Sequence, residues 1–137
     1  MSDSLSIAFE LSSSFGQFNK KIDRALSVHG ISFTEFMVMH QLAQAPNKVI
    51  SRIQLADAIN LTASGVTRLL LPMEKNGLVE KEKNSRDARV SLVKLTDTGN
   101  TLYQDALATS QSCSDGLTQH LSSKQLTQLS ELLRKLG

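Results

Sequence analysis

The run TASGVTRLLLPMEKNGLVEKEKNSRDARVSLVKLTDTG, residues 62–99, constrains the fold of this chain more than any other part of it. Val66, Leu69, Leu70 and Met73 fall at i, i+3, i+4 and i+7, the pattern of a helix that buries one face. Gly77 follows, a residue free to take the left-handed conformation in which helices end. Leu78–Lys83 and Val90–Leu95 then read as the arms of a β-hairpin, with Ser91, Val93 and Leu95 inward and Asn84–Arg89 at the tip. Pro72 removes the hydrogen bond to the Arg68 carbonyl. We expect a kink there rather than an end, because Met73 and Leu78 continue the core pattern.

The remaining helix starts are spelled out by capping boxes. Ser32-Phe33-Thr34-Glu35, Ser51-Arg52-Ile53-Gln54 and Ser122-Ser123-Lys124-Gln125 each pair a serine cap with a Glu or Gln that reaches back to it. Ile31 with Phe36, Ile50 with Leu55 and Leu121 with Leu126 add the matching hydrophobic staples. The first helix is expected over Ser4–His29, stopped by Gly30, with Ile7, Leu11, Phe15, Phe18, Ile22 and Leu26 in one stripe. The second spans Ser32–Gln44 and ends before Pro46; the third spans Ser51–Ile59 with Leu55, Ala56 and Ile59 inward. Asn60-Leu61 turns into the fourth helix, capped by Thr62. Thr96 caps a fifth that runs to Leu121, with Leu102, Ala106, Cys113, Leu117 and Leu121 inward and Gly116 loosening it locally. The sixth, Ser123–Leu136, is expected to bury Leu126, Leu129, Leu132, Leu133 and Leu136.

A short helix, a tight turn, a second helix and then a hairpin describe a winged helix-turn-helix. The expected fold is therefore mainly α, α+β by its wing, with six helices in a single domain of residues 1–137. The winged helix-turn-helix occupies residues 32–99, with the recognition helix at about 62–76 and the wing at about 78–95.

Composition excludes several classes. No apolar run approaches the ~18 residues of a membrane span, and MSDSLSIAFELSSSF lacks the basic-then-apolar order of a signal peptide. Asn60-Leu61-Thr62 matches a glycosylation sequon in form only, without secretion to give it meaning. A single cysteine, Cys113, rules out an internal disulfide and fits the reducing cytoplasm; its place on an apolar stripe makes it a packing residue. His29, His40 and His120 lack metal-ligand spacing, and no nucleophile–base pair, paired-carboxylate motif or Gly-rich phosphate loop is present. We expect no enzyme, no metal and no cofactor.

Charge then points to a partner. The chain carries a net charge of +2, but residues 48–94 hold nine Lys and Arg against five Asp and Glu, a local +4, while each flank is −1. A basic excess confined to one module is the footprint of a polyanion binder. The outer face of the fourth helix shows Ser64, Thr67, Arg68 and Leu71, and its small residues Ala63, Ser64 and Gly65 permit close approach. Where the other caps have Glu or Gln, this helix has Gly65, which leaves the amides of Thr62–Gly65 for a phosphate oxygen. Arg68 is long enough for a guanine edge or a phosphate; Arg86 and Arg89 suit the DNA backbone or the minor groove. The alternative is a winged-helix module that binds an acidic protein without specific DNA binding.

Leu55-Ala56, TASGVTRLL, MEKNGLV and DARVSLVKLTDTG together resemble the MarR family of bacterial transcriptional regulators. The family's wing pattern appears as Asp87, Arg89, Val93, Leu95, Thr96 and Gly99. The resemblance implies DNA contacts from Thr62, Ser64, Thr67 and Arg68, with Thr62 at the phosphate-capping position and Arg89 in the minor groove. It implies that Asp87 braces the wing, and that residues 1–30 and 100–137 supply interleaved dimerisation helices. It further implies a homodimeric repressor on a pseudo-palindromic operator, released by a small aromatic or phenolic effector. Pro72 departs from the family, which more often has a polar or charged residue there. Residues 1–30 lack the cysteine of the peroxide-sensing members, so no thiol switch of that kind is expected.

Overall fold

The computed structural model describes residues 2–137. Six helices and a small sheet follow one another as α1 Asp3–Leu26, α2 Phe33–Gln44, β1 Val49–Ser51, α3 Arg52–Ala58, α4 Ala63–Lys75, β2 Val79–Lys83, β3 Ser91–Leu95, α5 Asp97–Leu117 and α6 Ser123–Arg134. This is a winged helix-turn-helix framed by long helices, as expected. No described helix is long and apolar enough to cross a membrane.

All three capping boxes form in full at Ser32, Ser51 and Ser122, with serine oxygen and Glu or Gln side chain each satisfying a backbone amide. α1 ends earlier than the periodicity suggests. Its last residues, Ser27–His29, tighten into a 3₁₀ turn that closes on Gly30 at φ 72°. α4 runs unbroken through Pro72 to Lys75, so the proline does not end it.

The sheet corrects the sequence reading in two places. A third strand, β1, lies beside the hairpin, giving the order β1-β3-β2 with both pairings antiparallel. It is only three residues long, too short for alternation to show, and its last residue, Ser51, is also the cap of α3. The chain reaches β1 through Asn47 and Lys48, both left-handed at φ 58° and 59°. Ser91, expected inward, is exposed: only Val93 and Leu95 of β3 are buried, because Ser91 pairs with Lys83 where the hairpin extends beyond the core.

Leu26, Met39, Leu42, Leu55, Val66, Leu70, Met73 and Val93 are fully buried and join helix-turn-helix, sheet and α1 in one core. On α5 the buried row is Gly99, Tyr103, Ala106 and Ser110, while Leu102, Cys113 and Leu117 are only partly covered. The helix stops at Leu117, and Leu121 is exposed in the turn that follows.

The largest correction concerns the apolar stripes at the two ends. The sixth helix ends at Arg134 rather than Leu136, and within one chain it buries none of its leucines: Leu126, Leu129, Leu132 and Leu133, with Leu136 just beyond, are 39–60% exposed. Ile7, Leu11 and Phe15 of α1 are exposed too, and only Phe18, Ile22 and Leu26 reach the core. α6 does not pack extensively on any other element, although its leucines border a shallow apolar cleft with Ile7 and Leu11.

Candidate nucleic-acid interface

The turn between α3 and α4 is tight because Asn60 takes the left-handed conformation, at φ 56°, and the Leu61 amide bonds the Ala56 carbonyl at 2.9 Å. Thr62 then caps α4, its Oγ1 accepting from the Gly65 amide at 3.1 Å. That bond takes Gly65 out of the set of free amides expected for phosphate. A Cβ on Gly65 would come within 3.2 Å of the same Oγ1, so a bulkier residue would press on the cap. Thr62, Ala63, Ser64, Thr67 and Arg68 are all exposed, and Arg68 has no protein partner among the described residues.

Thr67 differs from its neighbours. Its Oγ1 donates to the Ala63 carbonyl at 3.1 Å and accepts from the Arg52 guanidinium at 3.0 Å. Arg52 also reaches Glu74 at 3.4 Å, so one side chain from the start of α3 holds two turns of the recognition helix. Its Nε is buried without a partner. Nothing in the sequence marked Arg52, because its partners lie 15 and 22 positions away and no local spacing connects them.

The wing tip is built from side-chain–backbone bonds. Asn84 Oδ1 accepts from the amides of Arg86 and Asp87 at 2.8 and 3.2 Å, the geometry of an Asx turn. The Asp87 carboxylate accepts from the Arg89 amide, Nε and an η nitrogen at 3.0, 3.1 and 3.3 Å. The guanidinium bond first, and the amide second, hold the Asp87 carboxyl below its ordinary value of 3.8. A lowered carboxylate supports the tip above its ordinary value and releases it only as pH falls through the lowered one. Near neutrality the lock is fully formed. Arg89 nevertheless remains 91% exposed, oriented but free on its outer side. Arg86 is exposed, and its side chain makes no bond within the described residues. Arg89, Arg52 and Gln54 line one groove between the start of α3 and the tip. The wing tip and the start of α3 thus border one groove, and Arg52 connects that groove to α4 through Thr67.

The wing is fixed at its base by Thr96. Its Oγ1 donates to the carbonyls of Gly77 and Leu78 at 2.6 and 3.0 Å, while its amide bonds Leu78 at 3.1 Å. The remaining singled-out residues serve elsewhere. His29 Nε2 lies 2.7 Å from Thr109 Oγ1, His40 Nδ1 lies 2.8 Å from the Tyr103 hydroxyl, and His120 is exposed. Among the described residues no three His, Cys, Asp or Glu side chains could share a metal ion. Cys113 is half-buried between α1 and α5, beside Ala25 and Thr109.

The family model of the MarR family matches residues 31–91, from α2 through the helix-turn-helix and wing tip into β3. Over that segment the chain is similar to the MarR family. The chain is 28% identical over 114 residues to the transcriptional repressor MprA of Escherichia coli K12. That match covers 83% of this chain and 65% of MprA, so the chain spans just under two thirds of that relative. It is 24% identical over 134 residues to the HTH-type transcriptional regulator MhqR of Bacillus subtilis, covering 98% of this chain and 91% of MhqR. In fold it is similar to a mutant Escherichia coli MarR crystallised with operator DNA, with a TM-score of 0.87 at 23% identity over 97% of this chain and 94% of that one.

Proposed function

We propose that this protein is a MarR-family regulator, a sequence-specific, DNA-binding transcriptional repressor that acts as a homodimer. One observation carries the reading. The N-terminal residues of α4 are exposed, and the hairpin that follows carries two exposed arginines at its tip, Arg89 oriented by Asp87, all in the segment of net charge +4. Thr62, Ser64 and Arg68 enter the major groove, Arg86 and Arg89 take the flanking backbone or minor groove, and Asp87 sets the direction of Arg89. Thr67 joins that face with its hydroxyl already bonded to the protein.

The dimer follows from uncovered apolar area. Residues 1–30 and 100–137 form the dimerisation part, in which the leucines of α6 and the outer half of α1 need a second chain to cover them. Two recognition helices then meet two half-sites about 34 Å apart, one helical turn of DNA. Release by a small aromatic effector, which the family resemblance supports, completes the reading, as does a cytoplasmic location.

The test is selection from a pool of random duplexes with the full-length protein. The expected result is a pseudo-palindrome whose half-sites are centred one turn apart. Recovery of no shared motif would count against the reading. Arg89→Ala should then weaken binding to the selected duplex by roughly 10–100-fold, since it removes a charge-assisted contact from each protomer. It should also flatten the salt dependence by about two phosphates per dimer while the thermal midpoint stays put. A mobility shift with unaltered affinity would remove the wing from the interface.

A further inference from the structure

Three features of α4 have no place in a purely hydrogen-bonding interface. Leu71 is 53% exposed and stands apart from the core cluster, on the outer face one turn after Thr67. Thr67 is exposed, but its hydroxyl is already committed to Ala63 and Arg52, so its γ-methyl is the group left without a partner. Pro72, also exposed, adds a ring with no N–H beside Leu71. These side chains form an apolar strip on the same face as Arg68, in the module with the positive excess.

A second protein would be a poor occupant of so narrow a strip, flanked as it is by Arg68 and Lys75. In the major groove, one chemical group matches an apolar side chain: the 5-methyl of thymine. We infer that Thr67 and Leu71 read thymine methyl groups, so that part of the specificity of this protein is apolar. The inference rests on the DNA-binding reading above and adds which base the middle of the recognition helix selects. Arg52 is the positioning residue. By occupying the Thr67 hydroxyl it turns a residue that could hydrogen-bond any of several bases into one that offers a methyl group.

The probe is the tightest duplex from the random selection, synthesised with thymine or with uracil at the half-site thymines, which deletes the methyl and nothing else. A buried methyl is worth about fourfold in affinity, so one per half-site makes the uracil duplex roughly 15-fold weaker for the wild-type dimer. Leu71→Ala and Thr67→Ser, which shed the apolar groups, should shrink that ratio. Thr67→Val keeps the methyl, loses the hydroxyl and should retain the ratio. Equal affinity of the wild type for both duplexes, with an unchanged salt slope, overturns methyl reading while leaving DNA binding intact. A selected motif without half-site thymines, or one ratio shared by every variant, overturns it too. Failure to select any motif instead removes the DNA-binding reading itself.

Discussion

Leu129→Asp combined with Leu133→Asp is expected to turn the proposed homodimer into a monomer and to abolish DNA binding at nanomolar protein. The two side chains lie one turn apart on α6 and border the cleft that Ile7 and Leu11 complete. Both are about half exposed in the single chain, at 44% and 45%, so their replacement removes little from the folded protomer. Across a two-fold interface each change counts twice. Burying the exposed half of a leucine contributes about 0.7–1.5 kcal/mol, so four leucines forgo roughly 3–6 kcal/mol, before the cost of desolvating four carboxylates. A nanomolar dimer rests on only about 12 kcal/mol. Sedimentation should therefore show a protomer of 15.0 kDa with an unchanged helical circular-dichroism spectrum. A doubly substituted protein that still sediments as a dimer would place the interface elsewhere.

Gly99→Ala should be the most damaging single methyl in the protein. A Cβ at this position would lie 2.1 Å from the Leu78 carbonyl oxygen and 2.8 Å from a Leu95 methyl. Neither neighbour can yield cheaply. The Leu78 carbonyl is bonded by both the amide and the hydroxyl of Thr96, and Leu95 is a buried residue of β3. Relief requires α5 to move off the base of the wing, which breaks those bonds and opens the core beside Leu78. Overpacking of this kind costs about 1–3 kcal/mol, and contact with backbone puts this site at the upper end. For a chain of this size that lowers the thermal midpoint by roughly 10 °C. Gly116→Ala is the matched control, since it sits in the same helix with no heavy atom within 4 Å of the added Cβ. It should stabilise by about 0.5–1 kcal/mol. Equal midpoints for the two variants would show that the wing base is looser than its hydrogen bonds imply.

These two sites also show what the sequence could and could not disclose. Capping boxes at Ser32, Ser51 and Ser122 are local chemistry, complete within four residues, and each forms where it was read. The wing was legible for the same reason: the turn residues, the alternation of Val93 with Leu95, and Asp87 beside Arg89 are all close neighbours in sequence. The buried face of α5 was not. Its inward row contains Gly99, Tyr103 and Ser110, which carry little hydrophobic signal, and Gly99 is there because backbone approaches it. The leucines of α6 posed the opposite difficulty, because an apolar stripe looks the same whether its own chain or a second one covers it. Arg52 was invisible because its partners are distant in sequence. With Arg52 in place, the hydroxyl of Thr67 serves the protein and not a base.

The most direct test of the account is the salt dependence of affinity for the selected duplex. Arg68, Arg86 and Arg89 from each of two protomers, with the amides at the start of α4, should displace several counterions. Each neutralised phosphate contributes about −0.9 to the slope of log affinity against log salt, so six arginine contacts give a slope near −5. The account predicts that slope, together with tighter binding to the selected duplex than to a scrambled one at every salt concentration. A slope near zero, or equal affinity for selected and scrambled duplexes throughout, would contradict it.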